Sequence, residues 1–454
     1  MSKRIARTLL VTLFVPVSIH AQENLVPLST VVKRVVELDP GVRARQAEKE
    51  AARSETLRVR STRLPKLYVS TDVGSGQIVN DLANVLLTGL SPASVTDPKT
   101  RSRLADLSSS RPYFVPGARL EDNLFDGGAT SAAIRSATLN ESKAEVAGKS
   151  AAQDVAFTAA SDFLGLAQGR VLGRYLEEYV HVAGLVATAL EDQAKAGRIT
   201  DAKALAGRAK LAAAQAALEN NRDDLLVLSG LLRQRAGLPA DTAIDTRWLE
   251  SKLSESGLFP LPQTFETEKN VSLQDSSLDV QIQEQDLHAA KARRIPDVKF
   301  VAEYGFSFSA LVFTFRPGYD VGLRVNYPLF TSRELERNIQ VQQRRLDAAN
   351  LRREEVAAGL RDDQIRMLAE GRKLGRQYEA AHSALAQAEE VYRVARLKYD
   401  QGAGAPADLL DAADLVSTAR QRCLDLVRSS LLLRWTALRS EDALLAELEQ
   451  GAQP

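Results

Sequence analysis

The 454-residue chain has one cysteine, Cys423, so no disulfide can form within it. Cys423 lies in a helical stretch and reads as an inert helix residue. Only four histidines occur; His181, His288 and His382 are isolated, without partners at metal-ligand spacing. No complete phosphate-binding loop and no Gly-x-Ser-x-Gly turn is present. The chain is therefore expected not to be an enzyme and to need no cofactor or metal. A net charge of +1 gives no footprint for nucleic acid. Apolar runs are short. Lys3, Arg4 and Arg7 precede Leu9 to Val15, with a cut expected after Ala21, so residues 1–21 read as an export signal that also contains His20. That run cannot span a bilayer, no later stretch offers about 20 apolar residues, and no cysteine follows the signal to carry a lipid.

Proline is the most telling absence. Residues 117–238 and 329–405 contain none. Proline breaks helix interiors, so these spans are free to form very long helices. Met367, Gly371, Leu374, Tyr378, Ala381, Leu385, Ala388, Tyr392, Ala395 and Tyr399 step by four and three, the seam of packed helices. Moved back by 205 positions, the nine from Gly371 onward land on Leu166, Gly169, Gly173, Leu176, Val180, Ala183, Ala187, Leu190 and Ala194, all apolar or glycine. The same shift carries Leu124-Phe125-Asp126 to Leu329-Phe330-Thr331, Gly197 to Gly402 and Leu205 to Leu410. A spacing kept over such a length marks a duplicated unit. A helix over 129–195 would be about 100 Å long. Gly165, Gly169 and Gly173 inside it each cost roughly 1 kcal/mol relative to alanine, which points to close helix contact or a bend.

Each unit also holds strands. Leu28–Leu38 reads as a short helix, and a second opens at Asp39-Pro40 and runs to about Arg63. Leu64-Pro65 ends it, and Lys66–Val73 alternates as a strand. Ile295-Pro296 and Asp297–Tyr304 repeat the device, with return strands expected at about Tyr113–Leu124 and Tyr319–Phe330. The first repeat thus covers 22–238, with strands at about 66–124 and a hairpin tip at about 196–201. A linker at 239–275 follows. The second repeat covers 276–439, with strands at about 297–330 and a tip at about 401–406, and the tail from 440 to 454 continues helical to about Glu449. The first strand connection is 26 residues longer, between about Gly74 and Arg111, with an apolar island at Val85-Leu86-Leu87. It reads either as a solvated insertion or as a lid over an opening. Nine aromatic residues crowd between Phe300 and Phe330, which suits a lipid-facing sheet with interfacial girdles. Four strands cannot close a barrel, since the smallest use about eight, and lipid does not tolerate open edges. Three chains with four strands each would give twelve.

The turns Ala196-Gly197-Arg198-Ile199-Thr200-Asp201 and Gln401-Gly402-Ala403-Gly404-Ala405-Pro406 join each long helix to its return helix. They are serviceable as plain turns. As exposed tips, Gly197, Arg198, Ile199 and Thr200, together with Gly402, Ala403, Gly404 and Ala405, are expected docking points. Beyond the second tip, Asp408, Asp411 and Asp414 recur every third residue. In a trimer they would form carboxylate rings that favour cations; alternatively they are a solvated face or helix-start acids that suit the dipole. Lys203 stands at the equivalent of Asp408, placed for a salt bridge between neighbouring hairpins.

In these motifs the chain resembles the TolC-type outer membrane efflux proteins. The resemblance rests on the Leu64-Pro65 and Ile295-Pro296 helix-to-strand exits, the Leu124-Phe125-Asp126-Gly127-Gly128 strand-to-helix junction, both glycine tips, and the run from Tyr399 to Ala412. It covers essentially the whole mature sequence. It implies a mainly α fold with a small membrane β part, a homotrimer sharing a twelve-stranded barrel in outer membrane lipid, and a helical tunnel through the periplasm. It further implies docking to a periplasmic adaptor and an inner-membrane pump, with Tyr399, Asp408 and Asp411 at a constricted entrance. The chain departs from the pattern at Lys203, at Thr331-Ser332-Arg333 and in its long first loop. A periplasmic adaptor, a coiled-coil scaffold of an export complex, or the outer membrane component of a one-step protein secretion system are the competing readings. The first normally has a single hairpin, and a scaffold would not need aromatic strand pairs.

Overall fold

The structure, a computed structural model, describes residues 25–76, 111–255, 257–261, 267–309 and 314–450. The export signal and the long first connection, with its apolar island, lie outside the described residues. Two short helices, α1 (Leu28–Leu38) and α2 (Pro40–Arg60), precede strands β1 (Lys66–Gly76) and β2 (Arg111–Phe125). The long helix α3 (Ala129–Lys195) and its return helix α4 (Asp201–Arg235) follow. After α5 (Arg247–Glu255), the order recurs as α6 (Val271–Ala292), β3 (Asp297–Ser309), β4 (Thr314–Asn326), α7 (Glu334–Asp400) and α8 (Pro406–Ser440), with α9 (Leu444–Gln450) last. Both long helices have 67 residues and both return helices 35. Every one of their boundaries is displaced by the same 205 positions seen in the sequence.

Local chemistry sets the helix starts. Asp39 Oδ1 accepts the N–H of Gly41 and Val42 ahead of α2, and Asn270 accepts those of Ser272 and Leu273 ahead of α6. Each carboxylate or amide oxygen satisfies donors that the first helical turn leaves unpaired. Pro406 opens α8, where its missing N–H costs nothing.

One compact unit comprises the described parts of 1–42, 152–265 and 366–454. Its core joins Val31, Val32 and Val35 of α1, Phe163, Leu164 and Val171 of α3, Leu249 and Leu253 of α5, Leu431 and Trp435 of α8, and Leu444 and Leu448 of α9. Each such side chain, once buried, contributes about 1.5–3 kcal/mol. The mid-helix glycines of α3 mark a close approach. A Cβ at Gly169 would lie 2.8 Å from Leu225 Cδ2 of α4, and Asn221 of α4 donates its amide to the Gly169 carbonyl at 3.0 Å. The linker is ordered by charge. Buried Glu250 accepts from Arg174 at 2.7 Å and from Thr246, which also receives Arg170. Burial raises the Glu250 carboxyl, but the hydrogen bonds of Thr246 and Arg174 and the two guanidinium charges outweigh it and hold the group below its ordinary value.

The second unit comprises the described parts of 43–151 and 266–365. Its helices are tied in the order α2, α3, α6, α7: the Thr56 hydroxyl donates to the Ala137 carbonyl, Lys143 pairs with Asp279, and Arg353 donates to Ser277. The sheet is antiparallel, in the order β1-β2-β3-β4. Its register sorts the side chains. Leu67, Leu120, Ala302 and Val321 lie opposite one another in one row, and Val69, Ala118, Tyr304 and Tyr319 in the next row on the same face. On the other face Tyr68, Arg119, Glu303 and Asp320 align, with Arg119 Nε 2.7 Å from the Glu303 carboxylate. The described residues leave the apolar face uncovered: Val69 is 85% exposed and Tyr319 83%. An ordinary packed sheet buries such a face.

Several boundaries differ from the sequence expectation: β3 runs on to Ser309 and β4 begins at Thr314, both beyond the expected Tyr304 and Tyr319. β4 ends at Asn326 rather than reaching Phe330, because Pro328 cannot continue a ladder; Leu329 and Phe330 lie beyond the strand, 86% and 87% exposed. α6 begins at Val271, inside the span expected to be linker, because Asn270 caps it. The tail helix breaks after Ser440, where Asp442 takes a φ of 57°, before α9 resumes at Leu444.

The duplicated strand-to-helix junctions share one backbone course but not one sequence. Gly127 and Gly128 have φ of 65° and 93°; 205 positions later Ser332 and Arg333 have 50° and 66°. A Cβ at Gly127 would also meet Ile295 Cβ at 2.8 Å and the Ala292 carbonyl at 2.9 Å. Left-handed backbone disfavours non-glycine residues by roughly 1–2 kcal/mol. Ser332→Gly and Arg333→Gly are therefore expected to raise the midpoint of thermal unfolding, whereas Gly127→Ala should lower it by more than either gain. A fall in midpoint for both glycine variants would show that these side chains make stabilising contacts that outweigh the strain.

Candidate functional site

The two hairpin turns, both in the first unit, are built alike. Gly197 has a φ of 68°; its N–H donates to Ala194 O at 2.8 Å, and that of Arg198 to Gln193 O at 2.8 Å. Gly402 has a φ of 71°, its N–H donates to Tyr399 O at 2.9 Å, and those of Ala403 and Gly404 both reach Lys398 O. This pair of bonds to the last free carbonyls is the Schellman closure, which needs a left-handed residue and so takes glycine. Nothing stands within 4 Å of where a Cβ would sit on Gly197 or Gly402, so both tips face open space. Thr200 and Ala405 cap the return helices in extended conformation without a side-chain bond. Arg198, Thr200, Ala403 and Ala405 are exposed, Gly404 is half-buried, and Ile199 turns inward.

An apolar cluster gathers the turns. Val182, Ala183, Val186 and Leu190 of α3 meet Leu409, Leu410 and Ala413 of α8; Ile199 from the first tip, Leu211 of α4, and Tyr392 and Tyr399 of α7 pack against them. Tyr399 is thus half-buried against both hairpins. Because Leu409, Leu410, Ala412 and Ala413 point into the protein, Asp408, Asp411 and Asp414 stand on the exposed side of α8. The Asp411 carboxylate lies 2.6 Å from Lys210 Nζ of α4. Asp414 accepts the Tyr179 hydroxyl of α3; burial, then the Asp414 charge and hydrogen bond, and last the Asp411 charge push that phenol up to about 12. Asp408 and Lys203 are exposed, with no ion-pair partner among the described residues.

The structure therefore brings Tyr399, Asp411 and the tips to one end of the hairpins, and adds Tyr179 and Lys210, which the sequence reading did not single out. Lys210 lies 201 positions from Asp411, and the repeat comparison sets it against Leu415, so only the mismatch between copies hinted at it. Burial and the nearby Glu389 charge raise the Cys423 thiol. Among the described residues no group of His, Cys, Asp or Glu is arranged to hold a metal, and no helix is long and apolar enough to cross a membrane.

Residues 266–441 match the model of a protein family described as outer membrane efflux protein. No curated protein matches the chain by sequence. Solved structures do. The outer membrane protein VceC from Vibrio cholerae is 16% identical with a TM-score of 0.71, over 92% of this chain and 96% of that one. CusC, described in terms of transmembrane channel formation, is 15% identical with a TM-score of 0.72, over 91% of each chain. The Campylobacter jejuni CmeC outer membrane channel is 15% identical with a TM-score of 0.69, over 92% of this chain and 86% of that one. The likeness takes in nearly the whole chain, sheet and helices together.

Tyr179 yields a pH prediction. Its proton is held more tightly in the folded protein than the ordinary value of about 10. The stability it adds is complete below about pH 10 and is lost as pH rises through about 12. Tyrosinate absorbance should show one phenol ionising late, and Tyr179→Phe should remove that component. An unchanged titration in Tyr179→Phe would mean that the phenol is not held by Asp414.

Proposed function

We infer that this chain, an outer membrane efflux protein by the signature in residues 266–441 and by the fold it shares with solved channels, is the outer membrane channel of a tripartite export system. It is a passive conduit with its sheet in the outer membrane and its helices in the periplasm. The single observation that carries this reading is the sheet. Its apolar rows are exposed, its opposite face is charged, and the outer edges of β1 and β4 have no strand partner among the described residues. Lipid can cover the apolar face, but it cannot satisfy the edges. Closure with other copies can do so, and three copies supply twelve strands with the charged faces turned to the lumen.

The hairpin turns are then the contact points for a periplasmic adaptor, which links the channel to an inner-membrane pump. Gly197, Arg198, Ile199 and Thr200 form one contact, and Gly402, Ala403, Gly404 and Ala405 the other. Tyr399, Asp408, Asp411 and Lys203 form the entrance. Asp411 is neutralised within its own subunit by Lys210, which leaves Asp408 as the carboxylate of the ring and Lys203 as the cation free to meet a neighbouring hairpin.

Reconstituted in planar bilayers, the protein should conduct with a preference for cations, and Asp408→Ala should weaken that preference more than Asp411→Ala. The difference should fade near 1 M salt, where screening shortens to about 3 Å. Equal selectivity in all three proteins would place the acids on an outward face. For the tips, Gly197→Arg and Gly402→Arg should abolish export while trimers still assemble, whereas Gly402→Asn, which tolerates the left-handed backbone, should export near normally. Normal export by both arginine variants would move the adaptor contact elsewhere on the helices.

A further inference from the structure

Where the sheet meets the helices of the second unit, a cleft of about 570 Å³ is lined by apolar Ile295, Val325 and Tyr327 and by charged Asp126, Arg293 and Asp297. The three apolar residues are exposed. Val325 shares its row with Val298 and Phe125, so the cleft continues the apolar face of the sheet at its helix-side end. The two acids are already engaged. Asp126 accepts the N–H of Gly128 at 3.0 Å and of Thr130 at 2.8 Å and the Asn123 amide at 3.1 Å, and Asp297 accepts the Asn326 amide at 2.9 Å. Lys299 lies 4.0 Å from Asp297. Neighbouring Arg294 is paired with Glu336. The Arg293 side chain is exposed and has no hydrogen bond or ion pair among the described residues.

A free guanidinium beside an uncovered apolar wall matches an amphiphile with an anionic head. Free phosphate would leave the wall in water, and an acyl chain alone would leave the cation unmatched. Exposed Leu329, Phe330 and Arg333 extend the same mixture just beyond β4. We propose that the cleft docks the phosphodiester of a glycerophospholipid from the periplasmic leaflet, with its phosphate on Arg293 and its first acyl carbons on Ile295, Val325 and Tyr327. This rests on the outer membrane reading.

The test uses trimers extracted from the outer membrane, stripped of lipid in detergent and titrated with palmitoyl-oleoyl phosphatidylglycerol, with bound lipid counted by native mass spectrometry. One saturable site per subunit is expected. Arg293→Gln should weaken it about tenfold, the scale of one charge-assisted contact, while Arg345→Gln, an exposed arginine of α7, should leave it unchanged. Inorganic phosphate should not compete. Wild-type binding by Arg293→Gln, displacement by inorganic phosphate, or cross-linking of a cysteine placed at 293 to a second copy in a Cys423→Ser background would each overturn the proposal. Single-channel recording of the same preparation separates the two readings. Conducting trimers without a saturable site overturn the lipid site alone; a chain that forms no trimer overturns the channel reading and the site with it.

Discussion

Backbone groups on the outer edges of β1 and β4 point away from the sheet with no strand among the described residues to receive them, while one face of that sheet is lined by leucine, valine and tyrosine. Water would satisfy the edges but not the face, and lipid the face but not the edges. An unsatisfied peptide group in hydrocarbon costs several kcal/mol, so a sheet this wide cannot sit open in a membrane. Pairing of edges from different copies into a closed ring, as proposed above, would meet both demands together. The charged row of Arg119, Glu303 and Asp320 then faces a lumen, where ions remain hydrated.

The helices obey a second constraint, set by duplication. Long and return helices keep identical lengths and offsets in both copies, as a duplicated heptad seam requires. Where the copies differ, function or packing has intervened. In the first copy Gly169 lets Leu225 and Asn221 of α4 close onto α3, whereas Gly371 of α7 receives Leu261 from the linker. Lys203 and Lys210 in one copy correspond to Asp408 and Leu415 in the other, and Lys210 pairs with Asp411 across the two hairpins. At the strand-to-helix junctions the left-handed backbone is retained even where serine and arginine replace the glycines, which indicates that the corner is fixed by the sheet and helix it joins.

Much of this is legible in the sequence. Proline-free spans and the repeat at 205 positions bounded the long helices, because a helix interior excludes proline and a heptad seam cannot slip without burying polar residues. Leu64-Pro65 and Ile295-Pro296 marked the strands for the same reason. Local signals failed where the outcome depends on distant partners. The end of β4 turned on which ladder positions Pro328 could still occupy, and the start of α6 on a single capping asparagine within a mixed linker. The pairing of Asp411 with Lys210 joins two helices from different repeats, which no local spacing encodes. For Lys203 the sequence suggested a bridge between neighbouring hairpins, and among the described residues of the chain it has no ion-pair partner. The acids of α8 were placed correctly relative to one another but not relative to Tyr179, whose role depends on the packing of α3 against α8.

Closure of the sheet between copies is the claim on which everything else rests, and hydrogen exchange measures it directly. In protein embedded in outer membrane lipid, the amides on the outward edges of β1 and β4 should exchange as slowly as those shared between β2 and β3, because each is bonded to a strand of another copy. Fast exchange confined to those two edges, with β2 and β3 protected, would show an open four-stranded sheet and contradict the account.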